Sequence, residues 1–121
     1  MPVVDLFCGC GGLSKGFELA GFDIVAAFDS WQSALTCYNA NFDHNAHFLD
    51  LNDVAESVAA IRPYAPTIII GGPPCQEFSN AGRREEGSLA DLTYKYAQIV
   101  TAIRPHYFVM ENVPRAKDSL A

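Results

Sequence analysis

Five short apolar runs alternate with helical periodicities along this chain, and each run ends on polar or conformationally special residues. That alternation is the strongest constraint on the fold. The clearest run is Thr67-Ile68-Ile69-Ile70, continuous and β-branched, as a strand covered on both faces of a parallel sheet is. It stops at Gly71-Gly72-Pro73-Pro74-Cys75. Strands are read over 3–7, 23–28, 46–48, 67–70 and 107–110. Helices are read over 13–20, 31–40, 54–62 and 89–104. Asn52 or Asp53 is expected to cap the third, and Pro63 and Pro66 to end it. The polar stretch 76–88 is read as a long loop. Strands joined by intervening helices predict an α/β fold, a doubly wound parallel sheet of the Rossmann-like kind.

With 121 residues, half of them hydrophobic and 18% charged, the chain can bury a core of its own. Residues 1–121 are read as one domain unit. No apolar run approaches the ~20 residues of a membrane span, and no basic start resembles a leader, so a cytoplasmic protein is expected. Eight Lys and Arg against fourteen Asp and Glu give a net charge of −6. A free-standing nucleic-acid binder needs a basic face for phosphates, so any DNA contact is expected from a local patch or with other protein. Cys8, Cys10, Cys37 and Cys75 show no zinc spacing and are read as reduced thiols. His44, His47 and His106 share no metal-type spacing and are read as surface or packing residues. No metal is expected.

In doubly wound sheets, ligands bind beyond the carboxyl ends of the strands, and the informative residues cluster there. Gly9-Cys10-Gly11-Gly12 follows the first strand and opens a helix, where glycine lets the backbone turn sharply and approach a ligand. Asp29 lies twenty residues after Gly9, where an acid commonly takes ribose hydroxyls. Ser14 stands where a dinucleotide fingerprint needs its third glycine, so the loop suits a nucleoside ligand without a pyrophosphate, or is a tight turn with no ligand. Asp50 can accept from an adenine amino group or serve as a helix cap. Trp31 can pack on a ligand ring or on the core. Two prolines hold the backbone just before Cys75, a nucleophile candidate at a strand end. Arg83 and Arg84 are phosphate contacts or solvated loop charges. Glu111 leaves an apolar strand. It is either a partly buried acid with a raised pKa, able to donate a proton, or a salt-bridged carboxylate.

Together these residues resemble the N-terminal part of the catalytic domain of a DNA cytosine-5 methyltransferase. Asp5-Leu6-Phe7-Cys8-Gly9-Cys10-Gly11-Gly12 resembles the family's first, S-adenosylmethionine-binding motif. Gly72-Pro73-Pro74-Cys75-Gln76-Glu77-Phe78-Ser79 resembles its Pro-Cys-Gln motif, and Glu111-Asn112-Val113 its Glu-Asn-Val motif. Order and spacing agree over essentially the whole chain. Asp29 stands where the family usually has Glu, Ser30 where it has an aromatic, and Pro114-Arg115 where a Lys-Gly-like pair is common.

The resemblance implies roles. Cys75 attacks C6 of a cytosine flipped out of duplex DNA, and Glu111 holds and protonates N3. Phe7, Gly9, Gly11, Gly12, Asp29, Trp31, Asp50, Leu51 and Pro73 form the S-adenosylmethionine site. Gln76, Ser79, Arg83, Arg84 and Asn112 serve the substrate and the catalytic loop. The family's later motifs and its target-recognition region have no counterpart here. The chain is therefore expected to be a fragment, or one subunit of a split restriction-modification enzyme from a bacterium or phage, inactive alone and needing the complementary half. Rival readings are a tRNA cytosine-5 methyltransferase, an inactive binding or regulatory module, and an NAD-dependent oxidoreductase, the last opposed by Ser14.

Overall fold

A computed structural model of the chain describes residues 1–74 and 83–111, the side chains of 83–91 excepted. Its strands are β1 (Pro2–Leu6), β2 (Asp23–Asp29), β3 (Ala46–Phe48), β4 (Ile68–Gly71) and β5 (Tyr107–Met110). Its helices are α1 (Gly12–Leu19), α2 (Gln32–Asn41), α3 (Val54–Ile61) and α4 (Arg83–Ile103), with a 3₁₀ turn at Arg62–Tyr64. All strand pairs are parallel, in the order β3-β2-β1-β4-β5. Because the order reverses beside β1, the carboxyl ends of β1 and β4 diverge into a crevice.

Alternate residues of each strand feed opposite faces. Val4, Leu6, Ala26, Phe28 and Ile69 pack with Leu51, Ile61, Tyr96 and Ile99 under α3 and α4. On the other face Val3, Ile24, Ile68 and Ile70 meet Leu13 and Phe17 of α1 and nearby Phe22. Cys8, Ala27 and Ala46 meet Leu35 and Tyr38 of α2. Asp53 caps α3, its carboxylate accepting from the Glu56 N–H at 3.0 Å. Among the described residues no helix is long and apolar enough to cross a membrane.

Two expectations need correction. The helix read from residue 89 begins at Arg83. Arg83, Arg84, Glu85 and Glu86 are good helix formers, and Gly87 with Ser88 is too weak a break to stop them. Residues 83–88 of the expected loop are thus helical. Cys10 and Cys37 are not reduced thiols but a disulfide, with Cα atoms 5.1 Å apart. The turn after β1 lies against α2, which a separation of 27 residues does not announce. β5 is apolar yet exposed along its whole length. Among the described residues it is an edge strand with one neighbour, unlike the doubly flanked β4.

Candidate active site

The turn from β1 to α1 is wound by alternation. Phe7, Gly9 and Gly11 have φ of 58°, 57° and 102°. Glycine takes such angles freely, but a bulky side chain does so at a cost of about 1–2 kcal/mol. Strained non-glycine residues of this kind concentrate where a site fixes them. Gly11 is held by shape as well: a Cβ there would collide with the Phe42 ring and lie 3.0 Å from Tyr38 Cδ2.

Asp29 locks this turn to the end of β2. Its Oδ2 accepts the Gly9 N–H at 2.8 Å, and its Oδ1 accepts the N–H groups of Ser30 and Trp31 at 2.7 and 3.1 Å. A carboxylate offers about four acceptor positions, so the side chain organises the loops and keeps capacity for one more donor. Asp50 arranges the next loop, accepting the Asn52 N–H at 3.0 Å.

These loops enclose a cavity of about 390 Å³ at the carboxyl ends of the strands. Six residues expected to hold a nucleoside line it: Phe7, Gly9, Asp29, Trp31, Asp50 and Leu51. Trp31 is 67% exposed at its edge rather than in the core. Ser30, Asn52, Gly72, Pro74 and Leu92 also line it and were not anticipated as site residues. For Gly72 and Pro74 the available signal was their place beside Pro73 in the Gly-Pro-Pro-Cys run. Pro73 itself is buried between them. Gly11 packs against Phe42, and Gly12 lines an apolar groove on α1 with Gly16 and Phe17.

Glu111 ends β5 beside this cavity. Its N–H donates to the Gly71 carbonyl at 2.8 Å, and its Oε1 lies 3.2 Å from where a Gly72 Cβ would stand. The carboxylate is exposed, not partly buried as the strand pattern suggested. Tyr96 sets the spacing of the two strand ends. Its hydroxyl lies 2.8 Å from the Val109 carbonyl and 3.3 Å from that of Ile69, and its ring fills the space above Gly71. Cys75, Gln76, Ser79 and Asn112 lie outside the described residues, as do the side chains of Arg83 and Arg84. In the sequence Cys75 directly follows Pro74, a lining residue. Cys8 is the other thiol near the turn. Burial, with Asp5 and Asp29 adding repulsion, pushes its pKa well above the ordinary thiol range, so it is inert.

The description C-5 cytosine-specific DNA methylase matches residues 1–120 as a family model. The chain belongs to that family. The Type II methyltransferase M.HgiGI of Herpetosiphon aurantiacus is 54% identical over 97% of this chain and 94% of its own length. M.HindV of Haemophilus influenzae, also a Type II methyltransferase, is 55% identical over 98% of this chain but 40% of its own length. A solved E. coli structure, described as a prophage-encoded DNA modification methyltransferase, superposes with a TM-score of 0.77 at 35% identity. It is matched over 94% of this chain and 32% of that one. The cytosine-specific methylase fold therefore accounts for the strand order, and the chain spans well under half of two of these three relatives.

Proposed function

We propose that this chain carries the methyl-donor pocket and the reacting groups of a DNA cytosine-5 methyltransferase of the restriction-modification kind. The observation that supports it best is the cavity, which joins the turn after β1, Asp29 and Asp50 on one side to Gly72 and Pro74 on the other. A volume of about 390 Å³ suits a nucleoside-sized ligand. Phe7, Gly9, Asp29, Trp31, Asp50 and Leu51 would hold S-adenosylmethionine, which supplies an electrophilic methyl group when bound.

The chain's own residues prepare the base. The Cys75 thiolate forms a bond to C6 of cytosine, and Glu111 gives a proton to N3, so the electron pair displaced from the C5–C6 bond resides at C5. Once C5 is methylated, a base from solvent takes its proton, the C–H electron pair re-forms the C5–C6 double bond and expels the Cys75 thiolate, and N3 returns its proton to Glu111. A soft sulfur nucleophile suits this cycle because it must both add and leave. Pro73 and Pro74 limit backbone motion ahead of Cys75. Arg83 and Arg84, at the start of α4, would supply cations for DNA phosphates. With a net charge of −6, the chain needs a basic surface from elsewhere to grip a duplex.

The test uses duplex DNA carrying 5-fluorocytosine, where the absent C5 proton traps the adduct. The full chain is expected to form a DNA-linked species with S-adenosylmethionine when mixed with a polypeptide supplying target recognition, and none as Cys75→Ser. It is expected to give no multiple turnover alone. Labelled methyl appearing in tRNA and not in DNA would replace this reading with an RNA-directed one. Binding of NAD in place of S-adenosylmethionine would end it.

A further inference from the structure

A buried polar chain beneath the glycine turn has no part in the function above. His44, half-buried after α2, places Nε2 2.6 Å from the Tyr38 hydroxyl. That hydroxyl lies 2.9 Å from Ser14 Oγ, and Ser14 Oγ lies 2.5 Å from Asp5 Oδ2. Asp5, Ser14 and Tyr38 are all 1% exposed or less, and Asp5 Oδ1 has no hydrogen-bond partner. Asp5 and Ser14 bracket the Phe7–Gly11 turn, one on β1 before it and one on α1 after it.

Two proton arrangements satisfy every link. With Asp5 ionised, Ser14 donates to Asp5, Tyr38 donates to Ser14, and the His44 Nε2–H donates to Tyr38. With Asp5 protonated, each bond reverses: Asp5 donates to Ser14, Ser14 to Tyr38, and Tyr38 to a bare Nε2. Loss of the His44 Nδ1 proton to solvent lets three protons each move one link toward Nε2, which converts the second arrangement into the first. The Asp5 O–H bond breaks, an Nε2–H bond forms, and both hydroxyls end intact. The chain's total charge falls by one, so the change follows pH.

We propose that His44, Tyr38 and Ser14 are a proton path that sets the charge of Asp5, and that this charge lets the site distinguish a cationic methyl donor from its neutral demethylated product. The proposal rests on the methyl-donor reading of the cavity. S-adenosylmethionine carries a sulfonium that its thioether product lacks, so an ionised carboxylate beside the turn favours the donor by simple attraction. Burial pushes Asp5 up to about 7, the Ser14 hydrogen bond opposing and the charges of Asp29 and Glu111 adding to the rise. Cys8 in the turn, Tyr38 on α2 and Tyr96 on α4 are the other titratable groups that feel Asp5. At the other end, Tyr38 and Phe42 face the His44 ring, Lys15 sits over Phe42 at 4.9 Å, and Glu18 is near enough to act on Tyr38.

The experiment is calorimetric titration of S-adenosylmethionine and S-adenosylhomocysteine into the full chain from about pH 6 to about pH 8. The preference for donor over product is expected to rise with pH by roughly tenfold, one unit of coupling between charge and ligand. Tyr38→Phe keeps the ring stacked on Phe42 but cuts the path, and His44→Gln keeps a hydrogen-bonding end that cannot ionise. Both are expected to move the pH profile, with thermal unfolding retained. A wild-type preference independent of pH, or variants that share its profile, overturns the proposal. If neither ligand binds, the donor-site reading is what fails. The path is then judged in the ligand-free chain by carbon-13 NMR of the Asp5 carboxyl. Two coupled steps in the wild type and one in Tyr38→Phe uphold it, and a single step in both refutes it.

Discussion

Asp5 stands fully buried in a strand whose neighbours on its own face, Val3 and Ile70, are aliphatic. Its raised pKa has a consequence for stability. The unfolded chain releases this proton near the ordinary value of 3.8 and the folded chain near 7. Between those values the folded state holds more protons, so the Asp5 contribution to stability falls as pH rises through that window and is level above it. Asp5→Asn is expected to remove that slope and to be the more stable of the two above neutrality, as read by urea unfolding across pH. An unchanged slope would place the effect in other carboxylates. Gly11→Ala combines a left-handed φ with the collision against Phe42 and is expected to cost about 2–3 kcal/mol, measured the same way. Residue identity exposed part of this in advance. Asp29, at a strand end after a glycine turn, announced itself by position. The partners of Asp5 did not: Ser14 is nine residues away and Tyr38 thirty-three, and pairings made through packed helices leave no local period. Ser14 could be weighed only as the glycine it is not, and His44 only as a surface or packing residue.

At the level of elements, the periodicity located each strand and α-helix among the described residues, because alternate burial and helical spacing are written in consecutive residues. The start of α4 was displaced because a single glycine was given too much weight against four helix formers. The pairing of the turn with α2 was invisible, since it depends on which elements become neighbours. That contact carries a disulfide, and a closed loop of this size is worth about 3.5 kcal/mol in chain entropy. Alkylation of the non-reduced, unfolded chain followed by peptide mapping is expected to leave Cys10 and Cys37 unmodified and linked, while Cys8 reacts. Full alkylation of both would return them to the reduced state first expected. Tyr96 on α4 has an equally clear test. Tyr96→Phe keeps the ring over Gly71 but leaves the Val109 carbonyl without its donor, a loss of about 1 kcal/mol. A larger fall in DNA-adduct formation than in stability is expected if the strand-end spacing positions Glu111.

For the whole molecule, the sequence conveyed the architecture better than the surface. Parallel strands joined by helices fix layers and binding edge together. They do not say which apolar strand lies at a margin, and that is how β5 came to differ from β4. Tyr107, Phe108, Val109 and Met110 are 61%, 57%, 40% and 39% exposed on what is, among the described residues, an unpaired edge. An apolar edge of that kind recruits further strands. The 121-residue chain by itself is expected to self-associate with concentration in sedimentation velocity, and a Phe108→Lys variant to do so less. Equal behaviour of the two would show that the edge is not the contact. The strand order has one more consequence. Everything that cradles the proposed donor, save Gly72, Pro74 and Leu92, is encoded before the 3₁₀ turn at Arg62–Tyr64, and the reacting groups are encoded after it. The two stretches meet where β1 lies down beside β4, with α3 against α4 behind them and Leu51 and Ile61 packed with Tyr96 and Ile99 in one core. In the language of protein engineering, that turn is a natural seam, where the gene could be cut and its two products left to find each other through a strand pair, a helix pair and the core between them.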